Sequence, residues 1–576
     1  MPIRGAVRGG VVILFFATCW STSFAQNHPT ASPYDLAIID AHIMDGSGSP
    51  WYEGAVAIKD GKIAAIGRIG KVPAQRTIDA KGMVVSPGFI DLHSHSDFAL
   101  LADGKAESKI RQGVTTEILG ESESAGPVLG PAIPPLDKEL ASMGLQREWS
   151  TLQEYFATLQ KHGTAVNIAS YVGSGQIRLD VMGNVNRAPT PGELGTMKSL
   201  VKQAMLDGAI GLASGLIYFP NSYAKTDELI ELARVAAHYG GIYTTHIRDE
   251  GDHISEALGE AIEIGEKAGL PVHILHYKIA GERNWGKMSE TSALIQSARD
   301  RGLDVTADQY PYLAGMTGLQ MCLPPKYLEG THEQVIQRLQ DPASRDEIRK
   351  MIASGVPGWG GNQIQLAGGW HGAMVASLQN PQNKQYEGKR MDEIAASMRK
   401  DPVDALCELL ISEETFPYAI YFVMSEPDVR LAMQQPWVGV GSDGVAVNPD
   451  MKFIGKPHPR FYGTFPRVLG YYVREQRVLT LPDAIRKMTS LAAQITGLTD
   501  RGLLRPGMAA DIAIFDPEEI SDKATFEDPS QYPAGISYVI VNGTVVIDQG
   551  KHTGALPGRV LYGRGKLAAI NPKITN

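Results

Sequence analysis

The sequence predicts an α/β fold in which a closed (β/α)8 barrel of the TIM type carries an insertion and lies beside a smaller sheet assembly. Three features predict it: short strand-like runs near both ends of the chain, strand-like runs alternating with helices between them, and one stretch where this alternation stops. Alternating strands and helices indicate a parallel sheet, and about eight such strands over a region of this length favour a closed barrel over an open sheet.

The runs near the two ends of the chain are short, rich in β-branched residues and bounded by turns. Those near the start cover residues 34–40, 55–58, 62–66 and 77–79, with Asp60-Gly61 and Lys81-Gly82 turns, and read as a small antiparallel unit. Runs of the same kind cover residues 510–515 and 538–546. Because an unpaired edge strand exposes free backbone groups, we expect the two ends to complete one sheet assembly.

The central region supplies the barrel. Its strand-like runs cover residues 115–119, 166–172, 208–213, 241–246, 271–276, 303–308, 418–424 and 437–441. Apolar spacing predicts helices over 228–238, 254–268 and 290–301 between them. The alternation stops from about residue 324 to 416, where clusters such as Gly368-Gly369-Trp370-His371 predict an irregular insertion.

Composition and charge limit the possible functions. The chain has 576 residues, 43% hydrophobic and 20% charged, as in ordinary globular proteins of roughly two to four domains. Its net charge of −9 argues against a nucleic-acid partner. Only Cys322 and Cys407 lie beyond the first residues, so a disulfide scaffold and a paired-cysteine zinc ribbon are excluded, while a single bridge stays open.

The first 25 residues have the pattern of a secretory signal peptide. Arg4 and Arg8 precede the apolar run 11–17, and Ser23-Phe24-Ala25 supplies small residues for cleavage before Gln26. The apolar run is too short for a stable spanning helix, which makes an uncleaved anchor the weaker alternative. We therefore expect a periplasmic or secreted protein with no membrane association after cleavage.

Two histidines separated by one residue follow the apolar segment Gly88-Phe89-Ile90-Asp91-Leu92. Side chains two apart on an extended strand point to the same side, so His93 and His95 would project together from a strand end. Such a pair suits one metal ion, although many pairs of this kind are ordinary surface or packed histidines.

Further polar residues follow other predicted barrel strands. His246, His276 and Asp443 each stand at or just after a strand end, where barrels of this type carry their chemistry. Alone, each is more often structural. Together with His93 and His95 they form a set of imidazole and carboxylate groups that suits Zn²⁺ or a similar ion.

The order of several motifs makes the sequence recognisable. They are Pro87-Gly-Phe-Ile-Asp-Leu-His-Ser-His, Gly215-Leu-Ile-Tyr-Phe-Pro, His246-Ile-Arg-Asp-Glu-Gly, Asp308-Gln-Tyr-Pro-Tyr, Gly441-Ser-Asp-Gly, His458-Pro-Arg-Phe-Tyr-Gly-Thr-Phe-Pro-Arg and Pro506-Gly-Met-Ala-Ala-Asp. From about Tyr34 to Gly563 the chain resembles the amidohydrolase superfamily, and within it the N-acyl-D-amino-acid deacylases, or D-aminoacylases.

This resemblance implies a domain organisation and a set of metal ligands. It implies a small β-sandwich built from residues 33–86 and 496–565, beside a hydrolase barrel over 87–495. By position in the motifs, His93, His95 and Asp443 would hold one metal ion, and His246 and His276 a second.

The ligand that bridges the two ions departs from the family pattern. D-aminoacylases bridge the metals with a Cys in a Gly-Asn-Cys sequence, and many relatives use a carbamylated Lys. Here Ser122 stands at the Cys position, and neither candidate fourth strand carries a Lys. Because metals in such sites take anionic ligands, we predict Glu121 as the bridge, with Glu123 or a single-metal site as alternatives.

The resemblance and elementary chemistry together predict the reaction. A metal-bound water loses a proton near neutral pH and attacks the amide, with Asp443 as the general base that then protonates the leaving nitrogen. The family's carboxylate-binding residues match Lys278, Tyr310 and Arg460.

The expected activity is hydrolysis of an N-acyl-D-amino acid to a carboxylate and a D-amino acid. A dipeptidase or another amide hydrolase of the same superfamily is the alternative, and a periplasmic binding protein without catalysis is a remote one. The partner is a small-molecule substrate; the acyl chain, the preferred side chain, the number of ions and the oligomeric state stay open.

Overall fold

The computed structural model describes residues 1–2, 33–70, 72–356, 359, 362–413, 415–451 and 454–570. The predicted signal peptide lies, apart from its first two residues, outside the described residues. Among the helices that are described, none combines the length and the apolar character that a membrane crossing requires.

The strands are numbered in chain order. They are β1 (Tyr34–Ile43), β2 (Tyr52–Lys59), β3 (Lys62–Gly67), β4 (Ala74–Asp79), β5 (Val84–Pro87), β6 (Phe89–Asp91), β7 (Val114–Leu119), β8 (Asn167–Ser170), β9 (Val172–Gly173), β10 (Gly211–Gly215), β11 (Ile242–His246), β12 (Val272–Ile274), β13 (Val305–Gln309), β14 (Gly315–Gly318), β15 (Ala373–Ser377), β16 (Tyr418–Tyr421), β17 (Val438–Val440), β18 (Ile512–Phe515), β19 (Ile536–Val541), β20 (Thr544–Asp548) and β21 (Lys551–His552).

The α-helices are numbered in the same way. They are α1 (Ala99–Ala102), α2 (Glu107–Ile110), α3 (Ile133–Ser142), α4 (Leu152–His162), α5 (Ser174–Met182), α6 (Pro191–Asp207), α7 (Thr226–His238), α8 (Ile254–Ala268), α9 (Met288–Asp300), α10 (His332–Gln340), α11 (Pro342–Ser354), α12 (Gln363–Leu366), α13 (Met391–Met398), α14 (Pro402–Ser412), α15 (Glu426–Gln434), α16 (Arg460–Arg467), α17 (Leu481–Met488), α18 (Ser490–Thr496) and α19 (Arg564–Ile570). The three helices expected from apolar spacing are α7, α8 and α9.

Parallel strands build the predicted barrel within the described residues. β6, β7 and β8 pair in parallel, and β9 to β13 and β17 continue as a second parallel set, with β8 and β9 two halves of one strand interrupted at Tyr171. The ring closes between β17 and β6, where the Leu92 amide donates to the Val440 carbonyl (3.3 Å) and Ser94 pairs with Gly444. Eight strand positions result, which confirms a closed barrel.

One of the eight predicted barrel strands was wrong. Residues 418–424 contain β16, which pairs antiparallel with β14 and β15 in a separate three-stranded sheet. The eighth barrel position belongs to β6, whose three residues Phe89–Asp91 are all buried. β16 also ends at Tyr421, three residues before the end of the predicted run.

The insertion between β13 and β17 is more regular than predicted. Besides the three-stranded sheet it contains α10, α11, α13 and α14, and side chains cap the amino-terminal ends of α10, α11 and α14. Thr331 forms a capping box with Gln334 at α10, and the Asp341 carboxylate accepts the Ser344 amide (3.0 Å) at α11. The expectation of an irregular segment was therefore wrong for this part of the chain.

The two ends of the chain meet in one nine-stranded sheet, in which β18 pairs antiparallel with β5. This confirms the joint assembly of both ends. The first unit is mixed, however, because β1 pairs in parallel with β4 and β5. The run 538–546 is two strands, β19 and β20, separated by a turn in which Asn542 (φ 49°) and Gly543 (φ 80°) are left-handed.

Apolar side chains fill the inside of the barrel away from the mouth that carries the polar residues. Ile90, Leu92, Ile118, Ala169 and Ala213 belong to one buried cluster there. A second, larger cluster lies between the strands and the surrounding helices. These two layers fix the strands, so that the residues following each strand are held at defined positions at the carboxyl-terminal mouth.

Candidate metal centre

The predicted residues follow the carboxyl ends of five barrel strands. His93 and His95 follow β6, Glu121 follows β7, His246 ends β11, His276 follows β12 and Asp443 follows β17. Because β17 and β6 are neighbours, Asp443 lies beside the two-histidine motif, and its amide donates to the His93 carbonyl (2.8 Å). The closed barrel thus brings together residues that are far apart in the chain.

Glu121 lies at the centre of this group. Its Oε2 is 2.9 Å from His93 Nε2 and 3.2 Å from His95 Nε2. Its other oxygen, Oε1, is 3.5 Å from His246 Nδ1. One carboxylate therefore faces both pairs of histidines.

The remaining residues complete three groups with metal-binding geometry. Asp443 Oδ1 is 3.1 Å from His95 Nε2 and 3.9 Å from His93 Nε2. The His276 ring centre is 4.3 Å from that of His246 and 5.1 Å from that of His93. Within each group the ligand atoms lie within 4.8 Å of one another: His93, His95 and Glu121; His93, His276 and Asp443; and Glu121, His246 and His276.

The neighbouring charges shift the pKa values of the carboxylates and histidines in this group. Burial raises the pKa of Glu121, but the surrounding His93, His246 and His95 outweigh burial and hold that pKa well below its usual value. Burial likewise raises the pKa of Asp443, and Arg460 and His93 reverse this effect. Burial lowers the pKa of His95, yet its hydrogen bonds to Asp443 and Glu121 raise it to about 10. Both carboxylates are thus held as anions.

The residues present fit a metal ion. Both ring nitrogens of His246, the Oε1 of Glu121 and the Nδ1 of His93 are buried and lack a hydrogen-bond partner among the described residues. Buried polar atoms of this kind need a ligand, since leaving them unsatisfied costs about 1–3 kcal/mol each. Neutral imidazole and carboxylate donors are the set that Zn²⁺ and similar ions take.

Three residues at the same mouth have a strained backbone. Ser122, His276 and Asp443 adopt left-handed conformations (φ 45°, 36° and 49°), which cost non-glycine residues about 1–3 kcal/mol. Specific contacts hold two of them, since the His276 amide donates to Asp308 Oδ1 (2.9 Å) and the Asp443 amide to the His93 carbonyl. The surrounding structure therefore imposes the direction of these side chains.

A buried polar network supports the first three ligands from below. The Lys109 ammonium donates to Asp91 Oδ2 (2.8 Å) and to Ser442 Oγ (2.6 Å), and the Ser442 amide donates to Asp91 Oδ1 (2.7 Å). Nothing in the sequence pointed to Lys109, which lies on the four-residue helix α2, outside the motifs. The network ties the segment carrying His93 and His95 to the segment carrying Asp443.

The predicted carboxylate-binding residues also gather at this mouth. Arg460 Nη1 is 3.0 Å from Asp443 Oδ2, and the Arg460 guanidinium lies 4.7 Å from the centre of the Tyr310 ring. The Arg460 Nε and the Tyr310 hydroxyl are buried without a hydrogen-bond partner in the described part of the chain. Lys278 lies 5.8 Å from the same ring, but its ammonium pairs with Glu250.

Two further residues belong to the site, and one predicted alternative does not. Glu250 contacts Lys278 and His276, and the Tyr218 ring packs edge-on against His246 at 5.1 Å. Both lie in motifs quoted above, and the spacing of four between His246 and Glu250 was the only signal for the latter. Glu123, the alternative bridge, is exposed and is in none of the metal-binding groups of the described residues.

Comparisons with known proteins agree with this geometry. The model of an amidohydrolase family matches residues 76–547. The chain is 36% identical to a D-aminoacylase of Alcaligenes xylosoxydans xylosoxydans over 92% of this chain and 98% of that protein. It is 37% identical to an N-acyl-D-aspartate deacylase of the same organism over 92% and 95% of the two chains.

A solved structure shows the same likeness in three dimensions. The N-acyl-D-glutamate deacylase of Bordetella bronchiseptica, solved with zinc and a phosphonate mimic of the tetrahedral intermediate, is 33% identical. It superposes with a TM-score of 0.78 over 92% of this chain and 100% of that one. The chain therefore belongs to the amidohydrolase family.

Proposed function

We propose that the protein is a metal-dependent hydrolase that cleaves the amide bond of N-acyl-D-amino acids to release a carboxylate and a D-amino acid. The observation that carries the proposal is the position of Glu121, with one oxygen facing His93 and His95 and the other facing His246. Arg460 and Tyr310 lie beside this group with unpaired donors for a substrate carboxylate. The relatives named above act on substrates of this class.

The metal is Zn²⁺ in this proposal, held as one or two ions. His93, His95 and Asp443 would hold the first, His246 and His276 the second, and Glu121 would lie between them. When bound, such an ion lowers the pKa of water towards neutrality and polarises the amide carbonyl. The orphaned atoms of His246 and Glu121 support this assignment.

Asp443 moves the proton in this scheme. Its Oδ1 faces His95, while its Oδ2 faces Arg460 and hence the side on which substrate would lie. As an anion, Asp443 can accept a proton from water and then deliver it to the amide nitrogen, which cannot leave as an anion. Arg460 also orients this carboxylate.

Arg460 and Tyr310 select the substrate by its free carboxylate. Arg460 offers its buried Nε, and Tyr310 its buried hydroxyl. A charge-assisted hydrogen bond from the guanidinium to a carboxylate is stronger than a neutral one, so the pair favours N-acyl-amino acids over uncharged amides. Lys278 adds a positive charge 5.8 Å from the centre of the Tyr310 ring.

We propose in addition that the protein is exported and has two domains. The basic, apolar and small-residue order of residues 1–25 supports cleavage before Gln26 and a periplasmic or secreted product. The pairing of β18 with β5 supports a small β-sandwich built from residues 33–86 and 496–565 beside the barrel. An amino-terminal sequence of the secreted protein beginning at Gln26 would be the expected result.

The activity is tested by a substrate screen together with metal analysis. The purified protein should contain a divalent metal and hydrolyse N-acetyl-D-amino acids, and removing the metal with a chelator should abolish turnover. N-acetyl-L-amino acids and dipeptides serve as the comparison substrates. Turnover of dipeptides alone, or full activity of the metal-free protein, would refute the proposal.

A further inference from the structure

Glu250 lies behind the second pair of histidines, in the loop between β11 and α8. Its Oε1 is 3.0 Å from His276 Nδ1 and 3.9 Å from His246 Nε2, and its side chain is only 15% exposed. The same oxygen pairs with the Lys278 ammonium.

His246 turns opposite ring nitrogens to Glu121 and to Glu250. His246 faces Glu121 with Nδ1 (3.5 Å), which leaves Nε2 on the side of Glu250. His276 has its Nδ1 3.0 Å from Glu250 Oε1, and its ring centre lies 5.1 Å from that of His93. Glu250 therefore lies on the side of His246 that faces away from Glu121, and its carboxylate is within hydrogen-bond distance of His276 Nδ1.

We propose that Glu250 is a positioning residue that holds His276 ready for the second metal ion, beside His246, and links it to the substrate-binding Lys278. A carboxylate that accepts the outer N–H of a metal-binding histidine fixes the ring orientation and leaves the inner nitrogen free of its proton. This inference rests on the proposed function, because it requires that these two histidines bind a metal.

Lys278 makes the requirement for this carboxylate stricter. Its ammonium lies 2.7 Å from His276 Nδ1, and an ammonium group can donate hydrogen bonds but cannot accept them. If His276 keeps its proton on Nδ1, Lys278 and His276 are both donors, and Glu250 Oε1 is the acceptor they share. Without the negative charge, His276 Nδ1 would instead accept from Lys278, and its proton would move to Nε2.

Loss of the Glu250 charge should affect only one of the two metal sites. A proton on His276 Nε2 occupies the nitrogen that the metal would use, so loss of Glu250 should weaken the second site. The first site, at His93, His95 and Asp443, has its own network through Lys109 and Asp91. Substituting a residue that orients a metal-binding histidine typically lowers metal affinity by about 10–100-fold.

The test is metal binding without substrate. Metal-free wild type, Glu250→Gln and Glu250→Asp would be titrated with Zn²⁺ in competition with a chromophoric chelator, and with Co²⁺ while the visible absorption of the bound ion is recorded. We expect Glu250→Gln to bind the ion at His93, His95 and Asp443 as wild type does. It should bind the ion at His246 and His276 about 10–100-fold more weakly, with an altered Co²⁺ spectrum. Glu250→Asp, which keeps the charge, should recover part of the affinity.

Asp249→Asn is the matched control, because the neighbouring Asp249 carboxylate accepts the Gly251 amide (2.7 Å) in the same loop. It should leave both affinities unchanged. Equal metal affinities and spectra in folded wild type and Glu250→Gln would overturn the inference, as would an equal loss in Asp249→Asn. A wild type that binds no metal would instead overturn the proposed function itself.

Discussion

Asp443 combines three properties at a single residue: a left-handed backbone, an ion pair with Arg460 and a hydrogen bond with His95. These contacts fix both carboxylate oxygens in direction. An Asn at this position has nearly the same shape but cannot accept the proton from water. The chemical role of Asp443 can therefore be separated from its packing.

We expect Asp443→Asn to lower kcat/KM for N-acetyl-D-amino acids by about 10²–10⁴-fold, because general acid–base catalysis contributes that much. Steady-state kinetics would measure the loss, and metal analysis would show how much of the metal remains. Asp450→Asn, at an exposed turn, is the control and should keep full activity. A variant Asp443→Asn with more than about a tenth of wild-type activity would contradict the role.

Glu121 and its neighbour Ser122 offer a second comparison. Glu121→Gln keeps the size of the side chain and removes the charge that faces His93, His95 and His246, so the metal content should fall. Ser122→Ala should leave it unchanged. The measurement is the metal-to-protein ratio after dialysis against metal-free buffer. Unchanged stoichiometry in Glu121→Gln would remove this residue from the bridging position.

The site residues that could be predicted from the sequence are those fixed by strand position. His93, His95, His246, His276 and Asp443 stand at or just after strand ends, and a barrel brings such residues to one mouth whatever their spacing in the chain. Glu250 could not be found in this way. Its contact with His276 depends on the path of the loop after β11, which sequence periodicity does not describe.

Helix α17 carries a buried lysine, Lys487. Its ammonium donates to the carbonyl oxygen of Gln435, just after α15, and to that of Val438, the first residue of β17. Burial lowers the pKa of Lys487 to about 8, from 10.5 for an exposed lysine. The folded protein therefore releases this proton at a lower pH than the unfolded chain.

This difference predicts a pH dependence of stability. Between about pH 8 and 10.5 the unfolded chain binds more protons at Lys487, so this residue's contribution to the free energy of unfolding rises with pH. Relative to Lys487→Met, wild type should gain up to ~3 kcal/mol between pH 7 and 10.5. Urea unfolding of both proteins across this range would measure it. A constant difference between the two would contradict the prediction.

The strand at residues 418–424 shows where element prediction from sequence stops. A short apolar run predicts a buried strand but contains no information on which sheet it joins. β16 packs in the insertion because its neighbours β14 and β15 approach it in antiparallel order. Conversely, β6 is only three residues long, and its place in the barrel depends on closure with β17.

At the scale of the whole molecule, two strand pairings join segments that are far apart in the chain. β17 meets β6 to close the barrel, which brings Asp443 to His93, and β18 meets β5 to join the two ends of the chain. The second closure could be anticipated, because strands at both ends lacked partners. The polar contacts that fasten the terminal sheet to the barrel could not, because they involve single buried side chains from four separate segments.

Asp511 is the centre of those contacts. Its carboxylate pairs with Arg501 and accepts from the Asn167 side chain in β8 (3.0 Å) and from the Asn542 amide (2.7 Å). Asn542 in turn donates to the Asn167 side chain (2.7 Å). Asp511 and Arg501 are both buried, so removing Asp511 would leave Arg501 with only its ion pair to the exposed Asp500 carboxylate (3.0 Å).

We expect Asp511→Ala to lower the free energy of unfolding by about 3–5 kcal/mol, the usual cost of breaking a buried ion pair from one side. Asp548→Asn, which removes an exposed ion pair with Arg76 in the same sheet (2.7 Å), should cost less than about 1 kcal/mol. Urea unfolding would compare the two. Because Asp511 lies outside the metal-binding groups, folded Asp511→Ala should retain wild-type kcat/KM and metal content at low temperature. Equal stability of the two variants would mean that the terminal sheet and the barrel are held together by apolar contacts alone.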